Sequence, residues 1–420
     1  MKISQQRLDI NLNYTDNDFY QKLLPKIELT KSRDYNINSW DIPHSISKLS
    51  YLVHSDYRYY GKFPSVIAGQ ILKQFPPNDI KKDYILDNFC GSGTSLVEAK
   101  LRGINSIGLD ISWVSVLVSK VKTSSVNTED IEIELDNQLR YFEKENIRFK
   151  NTPTDSFCTK WFSNEAAYDL NTIRNYLITM KKGIERDFFI VAYLAIIRRV
   201  SLAYDGEVRP HINKSKKARN VIGAYSKKVK DMINNHRLFN QACPRNSSTK
   251  VLIGDNLNLK NIDSINDKNI YLVISHPPYL NSFNYSPVYN LEFYWGKNFE
   301  EDYVPKNYRS LHKTELKAHP ATDLIQKKYF DHLKECYKQT FFLQPKDGRL
   351  AIIIGDCSRN KKHIPVIDNI ISIVKSIGYH LEELNYRTTH YGLGKYAYSH
   401  RADYHGTDEI KKDAIIIFKK

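Results

Sequence analysis

Two hydrophobic periodicities alternate along the chain. The first is the short, unbroken apolar run. It occurs at residues 83–88 (DYILDN), 106–110 (SIGLD), 250–254 (KVLIG), 270–275 (IYLVIS), 349–355 (RLAIIIG) and 413–419 (DAIIIFK). Runs this short, and this rich in Ile, Val and Leu, predict strands buried on both faces. The second is the helical stripe. Val66, Ile67, Ile71 and Leu72 follow Pro64 at helical spacing, residues 96–102 predict a helix stopped by Gly103, and residues 364–377 predict one stopped by Gly378. Strands alternating with helices predict an α/β fold built on a doubly wound, mainly parallel sheet.

Two stretches break this alternation. Residues 1–50 are polar and irregular, and are expected to form an extension that wraps onto the main body or contacts substrate. In the second stretch, residues 188–203 (FFIVAYLAIIRRVSLA) are apolar on more than one face and predict a buried helix. The organisation expected is therefore an N-terminal extension (1–50), a catalytic domain (51–120 with 250–420) and a helical, basic insertion (121–249).

Composition narrows the picture. A chain of 420 residues with 41% apolar content can build one large core or two medium ones. No run approaches 18 apolar residues and the N-terminus lacks an apolar signal core, so neither a membrane span nor a leader is expected. Five scattered cysteines without a Cys-x-x-Cys pair support neither a zinc site nor a disulfide framework, which fits a cytoplasmic location. The formal net charge is +15, and residues 198–250 hold thirteen Lys/Arg against three Asp/Glu. Such a concentrated footprint points to nucleic acid ahead of an anionic membrane. Arg198, Arg199, Arg209, Lys214, Lys216, Lys217 and Arg219 are the phosphate contacts it suggests.

Candidate chemistry sits at two strand ends. The loop Asp87-Asn88-Phe89-Cys90-Gly91-Ser92-Gly93-Thr94 follows the first strand, and its glycines let the backbone approach a ligand closely. A dinucleotide fingerprint would need glycine where Leu96 stands, and no G-x-x-x-x-G-K-[ST] phosphate loop is present. Asp110 ends the next strand, where an acid can accept from both hydroxyls of a ribose. Together these features resemble the S-adenosylmethionine-dependent amino-methyltransferases of DNA, whose loop reads Asp-Pro-Phe-x-Gly-Ser-Gly-Thr and differs here only at Asn88. The resemblance implies a class I methyltransferase fold with S-adenosylmethionine as cofactor. It further implies that Asp87, Phe89, Cys90, Gly91, Gly93 and Thr94 line the methionine and adenosine portions. By the same resemblance Asp110 holds the ribose, Asp255 reaches the adenine, and Phe63 packs near the methionine end.

The second strand end carries His276-Pro277-Pro278-Tyr279. Two prolines fix φ and aim a carbonyl outward, and the tyrosine offers a face to a base that has left the helix. An exocyclic amine is a poor nucleophile because its lone pair is delocalised, and acceptors at its hydrogens localise that pair on nitrogen. The Pro277 carbonyl and the side chain at 276 are the acceptors expected. The family usually has Ser, Asp or Asn at this position, and this chain has His276. An imidazole accepts only when neutral, so activity is expected to fall at acid pH.

The polar and aromatic stretch Asn281-Ser282-Phe283-Asn284-Tyr285 and the later Ile352-Ile353-Ile354-Gly355-Asp356 are similar to the family's cytosine-N4 branch. The expected substrate is duplex DNA with a flipped base, in a restriction–modification setting with a cognate nuclease as companion. Adenine-N6 methylation, methylation of an RNA base, and a catalytically inactive nucleic-acid-binding paralogue are the alternatives left open.

Overall fold

The structure, a computed structural model, describes residues 14–32, 34–42, 44, 48–144, 152–217, 219–244, 247–305, 315–388 and 412–420. Its centre is a nine-stranded sheet. In chain order the strands are β1 (Lys26–Ser32), β2 (Asn36–Asp41), β3 (Asp83–Asp87), β4 (Asn105–Asp110), β5 (Thr249–Ile253), β6 (Asn269–Ser275) and β7 (Arg349–Gly355). A small separate hairpin, β8 (Cys357–Arg359) with β9 (Lys362–Ile364), precedes β10 (His380–Thr388) and β11 (Lys412–Lys419). Across the sheet the order is β1-β2-β10-β11-β7-β6-β3-β4-β5.

Strands β5, β4, β3, β6 and β7 run parallel. β11 is antiparallel to both β7 and β10. From β3 the chain builds outward to β4 and β5, then returns to the other side of β3 to lay down β6 and β7. The β3/β6 boundary is thus a topological switch point, where loops leaving adjacent strands diverge and open a crevice. Register aligns the two ends, since Asp87 stands opposite Ile274.

Both faces of the sheet are covered, as unbroken apolar strands require. Leu86, Val273, Leu350, Ile352 and Ile416 pack on one face, with Tyr329, Leu333 and Tyr337 of helix Asp323–Leu343 and Ile370 and Val374 of helix Val366–Ile377. Ile85, Leu272, Ile274, Ile353 and Ile415 pack on the other, with Val66, Ile67 and Ile71 of helix Ser65–Gln74 and Val97 of helix Thr94–Leu101. Each such side chain stabilises the fold by roughly 1.5–3 kcal/mol. Helices Thr128–Lys144, Asn164–Thr179, Ile184–Val200 and Val221–Ala242 share a third core with helices Trp113–Thr123 and Asn290–Glu300. No described helix is long and apolar enough to cross a membrane.

Five strands depart from the sequence expectation, the short β8–β9 hairpin among them, whose last residue, Ile364, was expected to open the helix that begins at Val366. Within the stretch expected to be irregular, β1 and β2 extend the sheet by pairing β2 with β10. Their signal is masked because β1 is exposed along its whole length, and a buried amide pair, Asn38 Nδ2 to Asn385 Oδ1 at 2.6 Å, occupies core positions where apolar residues are sought. β10 itself (HLEELNYRT) is hidden by its charged positions.

Candidate active site

The loop after β3 is shaped by positive φ at Gly91 (+49°) and Gly93 (+74°). A Cβ on Gly93 would lie 3.2 Å from the Ser119 backbone, and one on Gly91 would lie 3.0 Å from the Tyr59 ring. Glycine is therefore required both for conformation and for space. The loop's acids hold it in place. Asp110 Oδ2 accepts from Gly91 N at 2.8 Å and its Oδ1 from Ser112 N at 2.8 Å. Burial pushes the Asp110 carboxyl up to about 6, against the opposing effect of those amides. Asp87 is buried beneath the loop, accepting from Phe89 N at 3.1 Å and from the Ser95 hydroxyl, and burial pushes it up to about 7.

A cleft of about 920 Å³ opens at this switch point. Of the residues singled out in the sequence, Phe63, Phe89, Cys90, Gly91, Thr94, Asp110, Asp255, His276 and Pro278 line it. Asp87, Gly93, Pro277 and Tyr279 are not among its lining residues. Asp87 and Gly93, expected in the ligand wall, instead act from behind it: one fixes the turn and the other makes room for Ser119.

The His276–Tyr279 segment is braced by several groups. The ring centroids of Phe63 and Tyr279 lie 4.9 Å and 5.2 Å from that of His276. The Tyr329 hydroxyl donates to the Pro278 carbonyl at 2.7 Å. Asn281, at φ +59°, accepts from Ala321 N, and its Nδ2 donates to Ser358 O at 2.7 Å. These bonds fix the shape of the segment at Pro278 and Asn281, which preorganises whatever the cleft positions.

Several lining residues were not anticipated. Tyr59, Tyr285 and Tyr289 form a stacked group, with Tyr59–Tyr289 centroids 5.3 Å apart and Tyr285 parallel to Tyr289 within 10°. Glu315 accepts from Tyr285 N and Ser286 N and secures this wall. Elsewhere on the cleft lining Asp255 accepts from Leu257 N at 2.9 Å, near His332, whose Nε2 lies 3.0 Å from Asn256 Oδ1. The Tyr57-Arg58-Tyr59-Tyr60 run was a legible hint of an aromatic wall. Tyr289, Phe293, Glu315 and His332 arrive by tertiary folding and carry no local motif.

The basic residues divide. Arg199, Arg209, Lys214, Lys217 and Arg219 lie at the surface. Arg198 is not available to phosphate as expected: its guanidinium is buried, donates to the carbonyls of Glu207, Val208 and Val288, and lies 4.6 Å from the Tyr60 ring centroid. Lys216 is likewise turned inward, to Ala203 O at 2.7 Å and Asp205 at 2.8 Å.

The cleft fits a polar, nucleoside-bearing ligand. Asn88 Oδ1 and Ser92 Oγ are buried polar atoms of its lining residues with no hydrogen-bond partner among the described residues. Such groups are costly to bury unless a ligand engages them. Comparison with known proteins agrees in kind. A family model described as DNA methylase matches residues 4–120. Type II methyltransferase M.MvaI of Kocuria varians is 26% identical over 56% of this chain and 59% of its own length. Type II methyltransferase M.BsoBI of Geobacillus stearothermophilus is 26% identical over 69% of this chain and 60% of its own. M.MjaII of Methanocaldococcus jannaschii is 29% identical over 32% of this chain and 27% of its own. The matched region thus spans about 60% of the length of the first two relatives.

Proposed function

Because the chain belongs to the amino-methyltransferase family of DNA methylases, we propose that it methylates the N4 amino group of cytosine at a specific site in duplex DNA. The methyl donor is S-adenosylmethionine, which supplies an electrophilic methyl group on a sulfonium. The observation that carries this reading is one cleft that joins the glycine loop and Asp110 to His276 and Pro278.

In this reading Asp110 accepts from the ribose hydroxyls, Asp255 lies toward the adenine, and Phe63 sits between the methionine end and His276. The target cytosine enters from the tyrosine wall. Its amino hydrogens are accepted by the His276 imidazole, which lines the cleft and raises the electron density on N4 along the line of transfer. Phe63, Tyr285 and Tyr289 exclude water, so the residues act by positioning and desolvation and no covalent enzyme intermediate is needed. The lean to cytosine over adenine rests on the Asn281–Tyr285 stretch following the catalytic segment. Surface residues Arg199, Arg209, Lys214, Lys217 and Arg219 are the phosphate contacts that hold the duplex, as part of a restriction–modification pair.

Duplex DNA incubated with methyl-labelled S-adenosylmethionine should acquire label. His276→Ala should reduce incorporation by about 10²–10³-fold while leaving cofactor affinity near that of the native chain. Unchanged incorporation would remove His276 from the chemistry, and absence of label with the native chain would favour a binding paralogue.

A further inference from the structure

Residues 203–212 follow helix Ile184–Val200 as a loop whose foot is closed by an antiparallel bridge between Ala203 and Ile212. Tyr204 N donates to His211 O at 3.0 Å, and Asn213 N to Leu202 O at 2.8 Å. The loop's carbonyls are held by cations. Arg198 donates to those of Glu207 at 2.9 Å and Val208 at 2.8 Å, Arg58 to that of Asp205 at 2.5 Å, and Lys216 to that of Ala203 at 2.7 Å. Hydrogen bonds from ionised donors are roughly twice as strong as neutral ones. Arg198 also donates to Val288 O at 2.6 Å, one residue before Tyr289. The guanidiniums of Arg58 and Arg198 lie 5.1 Å and 4.6 Å from the centroid of the Tyr60 ring. Tyr60 N in turn donates to the Tyr289 hydroxyl at 2.7 Å. Tyr59 and Tyr289 line the cleft. The loop is therefore mounted on the back of the cleft's tyrosine wall.

What this mount presents to solvent is positive charge. The loop's two acids are occupied within the fold: Asp205 by Lys216 and Arg219, at 2.8 Å and 2.7 Å, and Glu207 by His211 at 2.5 Å. Arg209 is exposed, as are Arg199, Lys214 and Lys217 on either side of it in the chain. None of these four cations forms an ion pair among the described residues. Exposed cations without acid partners suit a polyanion. A loop fixed to the wall that receives the base meets the strand at the nucleotide that has left the stack. We infer that residues 203–212 grip the target nucleotide itself, Arg209 contacting its backbone phosphate once the base is extruded, and that Arg198 is a positioning residue that fixes the loop to the tyrosine wall. The inference rests on the proposal that the cleft methylates a base flipped out of duplex DNA. A contact that forms only in the extruded state is absent when the duplex first binds, so it speeds transfer rather than tightening the encounter.

The test is single-turnover transfer of labelled methyl from S-adenosylmethionine to duplex plasmid DNA, with the full chain in excess and its concentration varied. This separates the maximal transfer rate from the half-saturating protein concentration. Calorimetric titration with S-adenosylmethionine counts the folded sites of each variant, and rates are expressed per site. Arg209→Ala should lower the maximal rate by about 10–100-fold and change the half-saturating concentration far less. Arg198→Lys keeps the charge but not the planar fork that spans three carbonyls, and should lower the maximal rate per site in the same sense. A purely structural Arg198 would instead reduce the number of sites and leave the rate at each one native. Arg58→Ala, at an exposed position, removes the Asp205 anchor and should lower the rate by a smaller factor, which keeps the test open where Arg198→Lys does not fold. A rise in half-saturating concentration alone in Arg209→Ala, or native kinetics, makes the loop an ordinary duplex contact and overturns the inference. Native rates per site in both mount variants overturn the role of Arg198. Failure of the native protein to label any duplex overturns the methyl-transfer reading beneath.

Discussion

At Asp110, burial raises the carboxyl to about 6, whereas the role proposed for it, accepting from two ribose hydroxyls, requires the ionised form. Ligand binding therefore favours the ionised form. Affinity for S-adenosylmethionine should be level above pH 6 and fall about tenfold per unit as pH drops below it. Asp110→Asn should bind more weakly at neutral pH and lack the acid step, and an acid step that survives in that variant would assign it to another group. The basic residues separate in the same way. Arg198→Ala removes a buried guanidinium from three carbonyls and should cost about 3 kcal/mol of stability by urea unfolding. Lys217→Ala should leave stability unchanged and lower the salt dependence of duplex binding by about 0.9 in log–log slope, the value for a single neutralised phosphate. Equal drops in stability for the two variants would contradict the division between interior and surface cations. Sequence alone could not make that division, because charge counting along residues 198–219 treats a cation packed on Tyr60 and one in solvent alike.

At the scale of elements, the turn from β3 into helix Thr94–Leu101 carries the most constraint per residue. Gly93→Ala places a side chain at φ +74° against the Ser119 backbone, and should destabilise by about 2 kcal/mol or more while weakening cofactor binding. Native stability measured for that variant would mean the turn can relax. This turn was legible because it is local: strand, small residues and helix are contiguous in the chain. The core strands were legible for the same reason, since each is a short apolar run covered on both faces. β1, β2 and β10 were not, because an edge strand needs no apolar face and a buried Asn38–Asn385 pair satisfies itself by hydrogen bonding rather than by burial of hydrocarbon. Of the cleft, the parts contributed by strand-end loops were visible in advance. The wall of Tyr289, Phe293, Glu315 and His332 was not, because segments distant in the chain deliver it.

At the scale of the molecule, sheet topology explains why the two motifs face one cleft. They are separated by about 180 residues of sequence, yet β3 and β6 are adjacent and in register, so both open onto the switch-point crevice. The intervening helices add a separate core and a cationic segment suited to a long polyanion. The central claim is that this arrangement methylates an exocyclic amino group of a DNA base. The most direct measurement is mass spectrometry of nucleosides from duplex DNA after incubation with the native protein and S-adenosylmethionine. The account predicts N4-methyldeoxycytidine, strongly reduced with His276→Ala. N6-methyldeoxyadenosine would keep the chemistry and change the base; 5-methyldeoxycytidine, or no methylated nucleoside on any duplex, would contradict the account.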